Sequence, residues 1–340
     1  MKRENISRIV LSAKHITVSG ENHIVYDASL ILPSHTVMLL MGMSGSGKSL
    51  FLQGITGFFL DETLRLCQGK VTVEGEEIWQ AKDGSVRLNR EALGDKIALS
   101  YQEAGQSLNP RLKCRHQLRL LLRRFYSTNE IPAEMERANE FLRVSGIEPE
   151  RVWSNYPCQL SGGLQQMAYL ALALRTPARV LLLDEIFSNM DSALLEKVTT
   201  FLAHHVHDTG RSLLVVTHDP SLISGFAHYV AIFYSGRIIE IVHKKDKPLH
   251  PFTRYFFACF DENLTAPIRQ LISANAPGTR DKISSNGCSY RHQCKQKINK
   301  CDTTVPPLRE CKTENGHIHF LACFNPFDNH EDGEYDGSKG

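Results

Sequence analysis

Apolar positions along the chain gather into a few runs whose spacing predicts the elements. Residues 23 to 41, HIVYDASLILPSHTVMLLM, hold two strand-like segments on either side of a Pro33-Ser34 turn. The second is a continuous apolar run, the pattern of a parallel strand covered on both faces. GMSGSGKSL follows, and then FLQGITGFFL, an apolar run compatible with a helix. Residues 69 to 79, GKVTVEGEEIW, alternate around Glu74-Gly75 and predict a hairpin. From Pro110 to Pro157 the pattern turns helical and charged, in HQLRLLLRRFY and EMERANEFLRVSGI; in the latter, Ala138, Phe141 and Leu142 share one face. Strands return at ARVLLLDE (178 to 185) and RSLLVVTHD (211 to 219), with a helical segment of about 20 residues between them. That alternation predicts right-handed β-α-β crossovers. HYVAIFYSGRIIEIV predicts a further hairpin, turning at Ser235-Gly236.

After Lys244 the texture changes to KKDKPLHPFTRYFF and then to a polar tail rich in proline and cysteine. The expected organisation is an α/β domain over residues 1–243 with a helical insert at about 110–157, an extension over 244–328, and a disordered stretch over 329–340. Composition sharpens this only a little. At 42% hydrophobic and 22% charged, the 340 residues can bury a substantial core. A net charge of +2 argues against a dedicated nucleic-acid surface, so no nucleic-acid partner is expected. No apolar run approaches the ~18–20 residues that span a bilayer, and Lys14 cuts the basic N-terminal segment short of a signal peptide. A reducing compartment is therefore expected, in which clustered cysteines read as metal ligands before disulfides. Nine cysteines are present: Cys67, Cys114, Cys158 and Cys259 are scattered, and five follow residue 287.

The strongest chemical signal is Gly42-x4-Gly47-Lys48-Ser49, between a predicted strand and a predicted helix. In such a loop Gly42, Ser44, Gly45, Ser46 and Gly47 turn backbone N–H groups toward phosphate oxygens, and the helix beginning at Lys48, Ser49 and Leu50 adds its positive end. Lys48 supplies the compact charge for the β- and γ-phosphates, and the Ser49 hydroxyl is a Mg²⁺ ligand. VLLLDE places Asp184 at the end of a buried strand, where it can hold Mg²⁺, and Glu185 beside it as the candidate general base. Ser161, Gly162 and Gly163 precede an Ala-rich helix, a second anion-binding helix start that lacks a lysine. Two phosphate sites, only one with Mg²⁺ ligands, suggest ATP held between two molecules. Gln102, in SYQEAGQSLNP, can reach both Mg²⁺ and the attacking water, and His218, in VVTHD, can contact the γ-phosphate.

The order GMSGSGKS, YQEAG, LSGGLQQ, VLLLDE, VVTHD resembles the ATP-binding subunit of ABC transporters over residues 8 to 243. SLNPRL, YPCQLSGG, HPFTRYFFA and the cysteine tail narrow the resemblance to the dipeptide/oligopeptide/nickel importers. It implies a P-loop NTPase fold with a mixed sheet core, an antiparallel β subdomain and a helical subdomain, followed by a small Cys-rich extension. It implies ATP hydrolysis with Mg²⁺ at Ser49, Gln102 and Asp184, with Glu185, His218 and Gln102 as the catalytic set. It implies a head-to-tail dimer with a copy or a paralogue, in which Ser161, Gly162, Gly163, Gln166 and Asp191 of one chain contact ATP on the other. Two membrane permeases and an extracytoplasmic solute-binding protein would complete the system, with this chain peripheral on the cytoplasmic face. Three places depart from the family pattern: EIFSNMD at 185 to 191 differs at Ile186, Phe187, Asn189 and Met190, Met167 stands where arginine is usual, and Tyr26 is the nearest candidate to stack on adenine. Soluble ribosome- or DNA-acting ATPases are the competing class. Against them, the chain has a single cassette and no sustained heptads between loop and signature.

The cysteines run Cys288-x5-Cys294-x6-Cys301 and then, after 21 residues, Cys323. Structural zinc sites begin with a tight C-x2-4-C knuckle, which is absent, and four thiolates on longer loops suit a larger group. The family resemblance implies a [4Fe-4S] cluster on Cys288, Cys294, Cys301 and Cys323. Zinc, or a loop-rich cap without metal, are the alternatives, and a metal/redox-regulatory subunit with weak ATPase activity is a third class of function.

Overall fold

The computed structural model describes residues 9–20, 25–59, 61–82, 84–101, 107–188, 190–259, 286–313 and 315–327. In chain order come β1 (Ile9–Ser19), β2 (Val25–Pro33), β3 (Val37–Met41) and α1 (Lys48–Thr56). Four strands follow, β4 (Arg65–Val73), β5 (Glu76–Lys82), β6 (Ser85–Leu88) and β7 (Ile97–Ser100). A helical segment holds α2 (Cys114–Phe125), α3 (Ile131–Val144), α4 (Pro149–Trp153) and α5 (Gly162–Ala173). Then β8 (Val180–Asp184), α6 (Ser192–Thr209), β9 (Ser212–Val216), α7 (Ser221–Gly225), β10 (Tyr229–Tyr234) and β11 (Arg237–His243) complete the α/β part. The extension adds α8 (Pro251–Ala258), β12 (Arg309–Glu310) and β13 (Phe320–Leu321).

Two sheets form. One is antiparallel, in the order β2-β1-β4-β5-β6. The other runs β12-β13-β11-β10-β3-β9-β8-β7, parallel from β10 to β7 and antiparallel beyond β10. The unbroken apolar runs have a direct cause, because every strand of the parallel part serves two cores. Val37, Leu39 and Met41 of β3 enter the core under the helices, while Met38 and Leu40 enter the core shared with α1 and the antiparallel sheet. β8 divides in the same way, Leu181 and Leu183 against Val180 and Leu182, as does β9, Leu213 and Val215 against Leu214 and Val216. Both faces are covered, so neither alternate position can be polar.

Ala138, Phe141 and Leu142 of α3 are fully buried in the helical core. The same helix carries a buried acid, Glu134, paired with buried Arg175 at 3.1 Å and with exposed Arg137. The extension is joined to the α/β part through the sheet itself: β13 pairs with β11, Glu240 opposite Leu321 and Ile241 opposite Phe320. Glu240 is fully buried at that joint. Its carboxylate accepts hydrogen bonds from the Leu249 N–H (2.6 Å), the His250 N–H (3.2 Å) and His319 Nε2 (2.9 Å). Tyr234, Phe252 and Tyr290 pack ring to ring beneath it, with centroids 4.4 to 5.7 Å apart. The extension predicted from residue 244 thus shares its sheet and its aromatic core with residues before 243.

Candidate ATP site

β3 ends at Met41, and the glycine loop turns the chain from that strand into α1. Gly42 has a φ of +148°, and a Cβ there would lie 2.1 Å from the Phe233 carbonyl oxygen on β10. Only glycine lets the loop pass so close to the neighbouring strand. Gly47, at φ +104°, caps α1 with no side chain bonded to the helix start, so the first N–H groups of α1 face the loop without an intrahelical acceptor. Lys48 is buried, and its Nζ donates to the carbonyls of Gly42 (3.0 Å) and Met43 (2.9 Å), arching over the loop. Burial lowers its pKa, against the pull of Glu185 and Asp184. The Ser46 hydroxyl is buried, with no partner among the described residues. The loop therefore holds a buried ammonium, a helix start and an orphaned hydroxyl, a set that anionic oxygens would complete.

The Ser49 hydroxyl donates to Asp184 Oδ1 at 3.0 Å, although the two residues are 135 apart in sequence. Burial pushes Asp184 up to about 6, with adjacent Glu185 adding to the rise and Ser49 and Lys48 opposing it. Such a carboxylate is short of positive charge. Its 3.0 Å separation from the hydroxyl is the edge of an octahedron with arms of about 2.1 Å, so this pair fits Mg²⁺.

Glu185 has a left-handed backbone, φ +47°, which costs a non-glycine residue about 1 kcal/mol or more. Several bonds hold it there: its N–H donates to the Val216 carbonyl (3.1 Å), and its own carbonyl accepts from Ser188 Oγ (2.9 Å) and Gln166 Nε2 (3.5 Å). The twist turns Glu185 away from the direction β8 would give it. Nothing in the sequence signals this, since the residue is not glycine. His218 follows β9 and is exposed. Gln102 lies outside the described residues. On α5, Tyr169 donates to the Leu99 carbonyl at 3.3 Å, tying β7 to that helix.

At the second anion site, Ser161 caps α5, its hydroxyl accepting from the Leu164 N–H at 3.4 Å. A Cβ added at Gly162 or Gly163 would meet nothing within 4 Å, and neither glycine has a positive φ. Among the described residues of this chain, nothing calls for glycine at either position. Gln166 is 5% exposed, and its Nε2 donates to the Glu185 carbonyl at 3.5 Å, linking the α5 start to the acid of its own chain. Asp191 is exposed and caps α6, accepting from the Leu194 N–H at 2.8 Å.

The sequence departures resolve into packing. Ile186 and Phe187 are buried in the helical core, Phe187 meeting Phe226 edge-on at 5.9 Å, and Met190 packs against the same core. Asn189 lies outside the described residues. Met167 is buried in that core too, a place where a guanidinium would lose its hydration. Tyr26 sits under the Arg237 guanidinium at 5.8 Å, and its N–H donates to the Gly236 carbonyl at 2.9 Å. Gly236 in turn donates to the Ser46 carbonyl at 3.1 Å, so Tyr26 is one residue removed from the phosphate loop.

Cys288, Cys294, Cys301 and Cys323 line one pocket. Burial pushes the Cys323 thiol up to about 12, and the other three thiols add to the rise. Cys311 stands apart: its Coulombic neighbours are Glu240 and Glu310. Gly287, at φ +118°, lets the Cys288 N–H reach the Cys301 carbonyl at 2.8 Å; a Cβ there would sit 2.6 Å from the Asp302 carbonyl oxygen. Among the described residues no three cysteine sulfurs lie within 4.8 Å of one another. One zinc ion with 2.3 Å arms would need them about 3.8 Å apart. The four thiols as placed do not have the spacing of a single zinc ion's ligands.

A phosphate loop on a central parallel strand, a buried acid bonded to its serine, and a Ser-Gly-Gly helix start in a separate helical layer together define an ATP-binding cassette ATPase. Residues 25–188 match the ABC transporter family, and the chain is an ATP-hydrolysing transporter subunit. Over 91% of this chain and 92% of the relative, it is 27% identical to the probable D,D-dipeptide transport ATP-binding protein DdpD of Escherichia coli K12. Over 87% and 90% of the two chains, it is 28% identical to the dipeptide transport ATP-binding protein DppD of Caldanaerobacter subterraneus. The dimeric ATP-binding cassette MJ0796, bound to ADP and phosphate, superimposes with a TM-score of 0.57 at 26% identity, over 69% of this chain and 98% of that one.

Proposed function

We propose that this chain energises uptake of a peptide-class solute, as one half of an ATPase dimer docked on a pair of membrane permeases at the cytoplasmic face. The observation that carries the dimer is the open space around Gly162 and Gly163. Glycines that answer to nothing in their own chain make room for something from outside it, and a helix start with free N–H groups suits a phosphate. In the proposed sandwich the γ-phosphate on Lys48 of one subunit meets Ser161, Gly162 and Gly163 of the other. Ser49 and Asp184 hold Mg²⁺, completed by Gln102. Glu185 orients the attacking water and His218 contacts the γ-phosphate. The strained Glu185 backbone favours this role, because it is held by bonds from β9, α5 and the segment leading to α6. Residues 1–243 act as the cassette and 244–328 as the extension.

Relatives named as dipeptide transporters favour a peptide as the solute, delivered by an extracytoplasmic binding protein. Among the described residues no helix is long and apolar enough to cross a membrane, consistent with peripheral attachment. Cys288, Cys294, Cys301 and Cys323 would hold an iron–sulfur cluster. Bound there, it would cross-link the extension and could respond to redox state, since ATP hydrolysis needs no electron transfer.

The test is reconstitution with the cognate permeases and binding protein in proteoliposomes. ATP-driven accumulation of labelled di- or oligopeptide is expected, abolished by Glu185→Gln, which should also trap an ATP-bound dimer. Undiminished turnover in Glu185→Gln would refute the role of that residue. Robust ATPase activity without peptide uptake would refute the solute class. Iron and acid-labile sulfide on anaerobically purified protein, lost in Cys294→Ser, test the cysteine site separately.

A further inference from the structure

A second set of ligand-type side chains converges at the other end of the joint between β11 and the extension. His243 is the last residue of β11, Asp246 stands in the turn after it, and His317 precedes β13. One donor atom from each lies within 4.8 Å of the other two. His317 Nδ1 is 3.0 and 3.1 Å from the two oxygens of Asp246, and Asn315 Nδ2 donates to Asp246 Oδ1 at 3.0 Å. The imidazoles of His243 and His317 lie face to face, centroids 3.7 Å apart and planes 24° apart. The site is sheltered yet reachable: the Asp246 side chain is 8% exposed and that of His317 28%.

We propose that His243, Asp246 and His317 bind a transition-metal dication, Zn²⁺ or a first-row neighbour, which clamps the segment leading into β13 onto the end of β11. Two imidazoles and one carboxylate make a donor set suited to such ions, whereas Mg²⁺ and Ca²⁺ select oxygen. His317 Nδ1 and the carboxylate are 3.0 Å apart, a few tenths of an ångström inside the roughly 3.3–3.6 Å between neighbouring tetrahedral ligands on arms of about 2.0–2.2 Å. His243 must move to join them. Stacked rings point their in-plane lone pairs side by side rather than at a common point, so metal entry turns the His243 ring out of the stack. Closing a gap of up to 4.8 Å to about 3.4 Å is within the reach of side-chain rotation. Three protein ligands leave a fourth position for water. A plain Asp246–His317 hydrogen bond accounts for two of the residues; His243 Nδ1 accepts from the Lys245 N–H at 3.3 Å and its ring meets Tyr229 edge-on at 5.1 Å, contacts that metal entry would exchange. The set contains no sulfur and is separate from the four thiols.

Co²⁺, a coloured stand-in for Zn²⁺, tests this on the full-length chain under argon. Expected are d–d bands without thiolate-to-metal charge transfer, and a nitrogen/oxygen shell by X-ray absorption. Affinity should fall at least about tenfold in His317→Ala and Asp246→Asn and stay unchanged in Cys294→Ser. Zn²⁺ should raise the melting temperature of the parent protein and not that of Asp246→Asn. Asp246→Asn keeps the shape of the side chain, so it decides the matter if His317→Ala no longer binds ATP. The proposal is overturned if Co²⁺ binding shows sulfur charge transfer and survives both substitutions, or if the parent protein takes up no Co²⁺ at micromolar concentration.

Discussion

Alanine in place of Gly163 adds one methyl group at a point where the isolated chain has nothing within 4 Å. For the monomer this is harmless or better. Gly163 is in the first turn of α5, and trading glycine for alanine in a helix gains up to about 1 kcal/mol. In a chain of this size that raises the melting temperature by at most about 2–4 °C. In the proposed dimer the same methyl stands between the helix start and a phosphate, where overpacking costs about 1–3 kcal/mol. At 1.4 kcal/mol per factor of ten, ATP-driven dimerisation and hydrolysis should fall about 5- to 140-fold. Thermal unfolding, size-exclusion chromatography with ATP in a Glu185→Gln background, and steady-state ATPase assays read the two effects separately. A variant that dimerises and hydrolyses ATP at full rate would refute the argument from open space. One that melts several degrees lower would show that the glycine serves the monomer after all.

Three further outcomes are expected. Gly42→Ala drives a Cβ to 2.1 Å from the Phe233 carbonyl oxygen; denaturant unfolding should show a loss of about 3 kcal/mol or more, together with loss of ATP-analogue binding, whereas Gly45→Ala, with open space at φ +73°, should cost about 1 kcal/mol. Burial first, with Arg211 and Arg175 close by, holds His205 down at about 3. The unfolded chain therefore takes up the proton first, stability falls as pH drops below about 6.5, and by pH 5 the loss is about 2 kcal/mol; His205→Gln should flatten that part of the denaturation profile. Glu240→Ala removes the common acceptor for Leu249, His250 and His319; a loss of about 3–5 kcal/mol and faster limited proteolysis of the extension are the readouts.

The elements that the sequence announced are those with one dominant physical cause. β3, β8 and β9 read as buried strands because both of their faces meet a core, and the phosphate loop stood out because its glycines, lysine and serine occur together. Shorter-range signals failed where a contact is made from far away. β12 and β13 are two residues each, too short to show a period, and the joint of β13 to β11 brings Glu240 to His319 79 residues later. The left-handed Glu185 has no glycine to mark it. Ile186, Phe187 and Met167 read as departures from the family pattern, yet they serve the core, because sequence pattern does not tell which neighbour a side chain will meet. The His243, Asp246 and His317 set spans a gap of 71 residues between its last two members and has no motif spacing at all.

The hairpin of β12 and β13 also decides where the large sheet stops. Without it, β11 would present the unpaired backbone of RIIEIVH, mostly apolar, along an open border, the kind of border on which a second chain can add a strand and from which fibres grow. With it, the middle of that border, Glu240 and Ile241, is paired with β13, and the outermost strand is two residues long, exposed, and carries one cation and one anion, Arg309 and Glu310. Trimming the chain after residue 243 would thus do more than remove a cysteine site. It would turn a finished rim into an adhesive one, and the shortened ATPase should precipitate at concentrations that the whole chain tolerates.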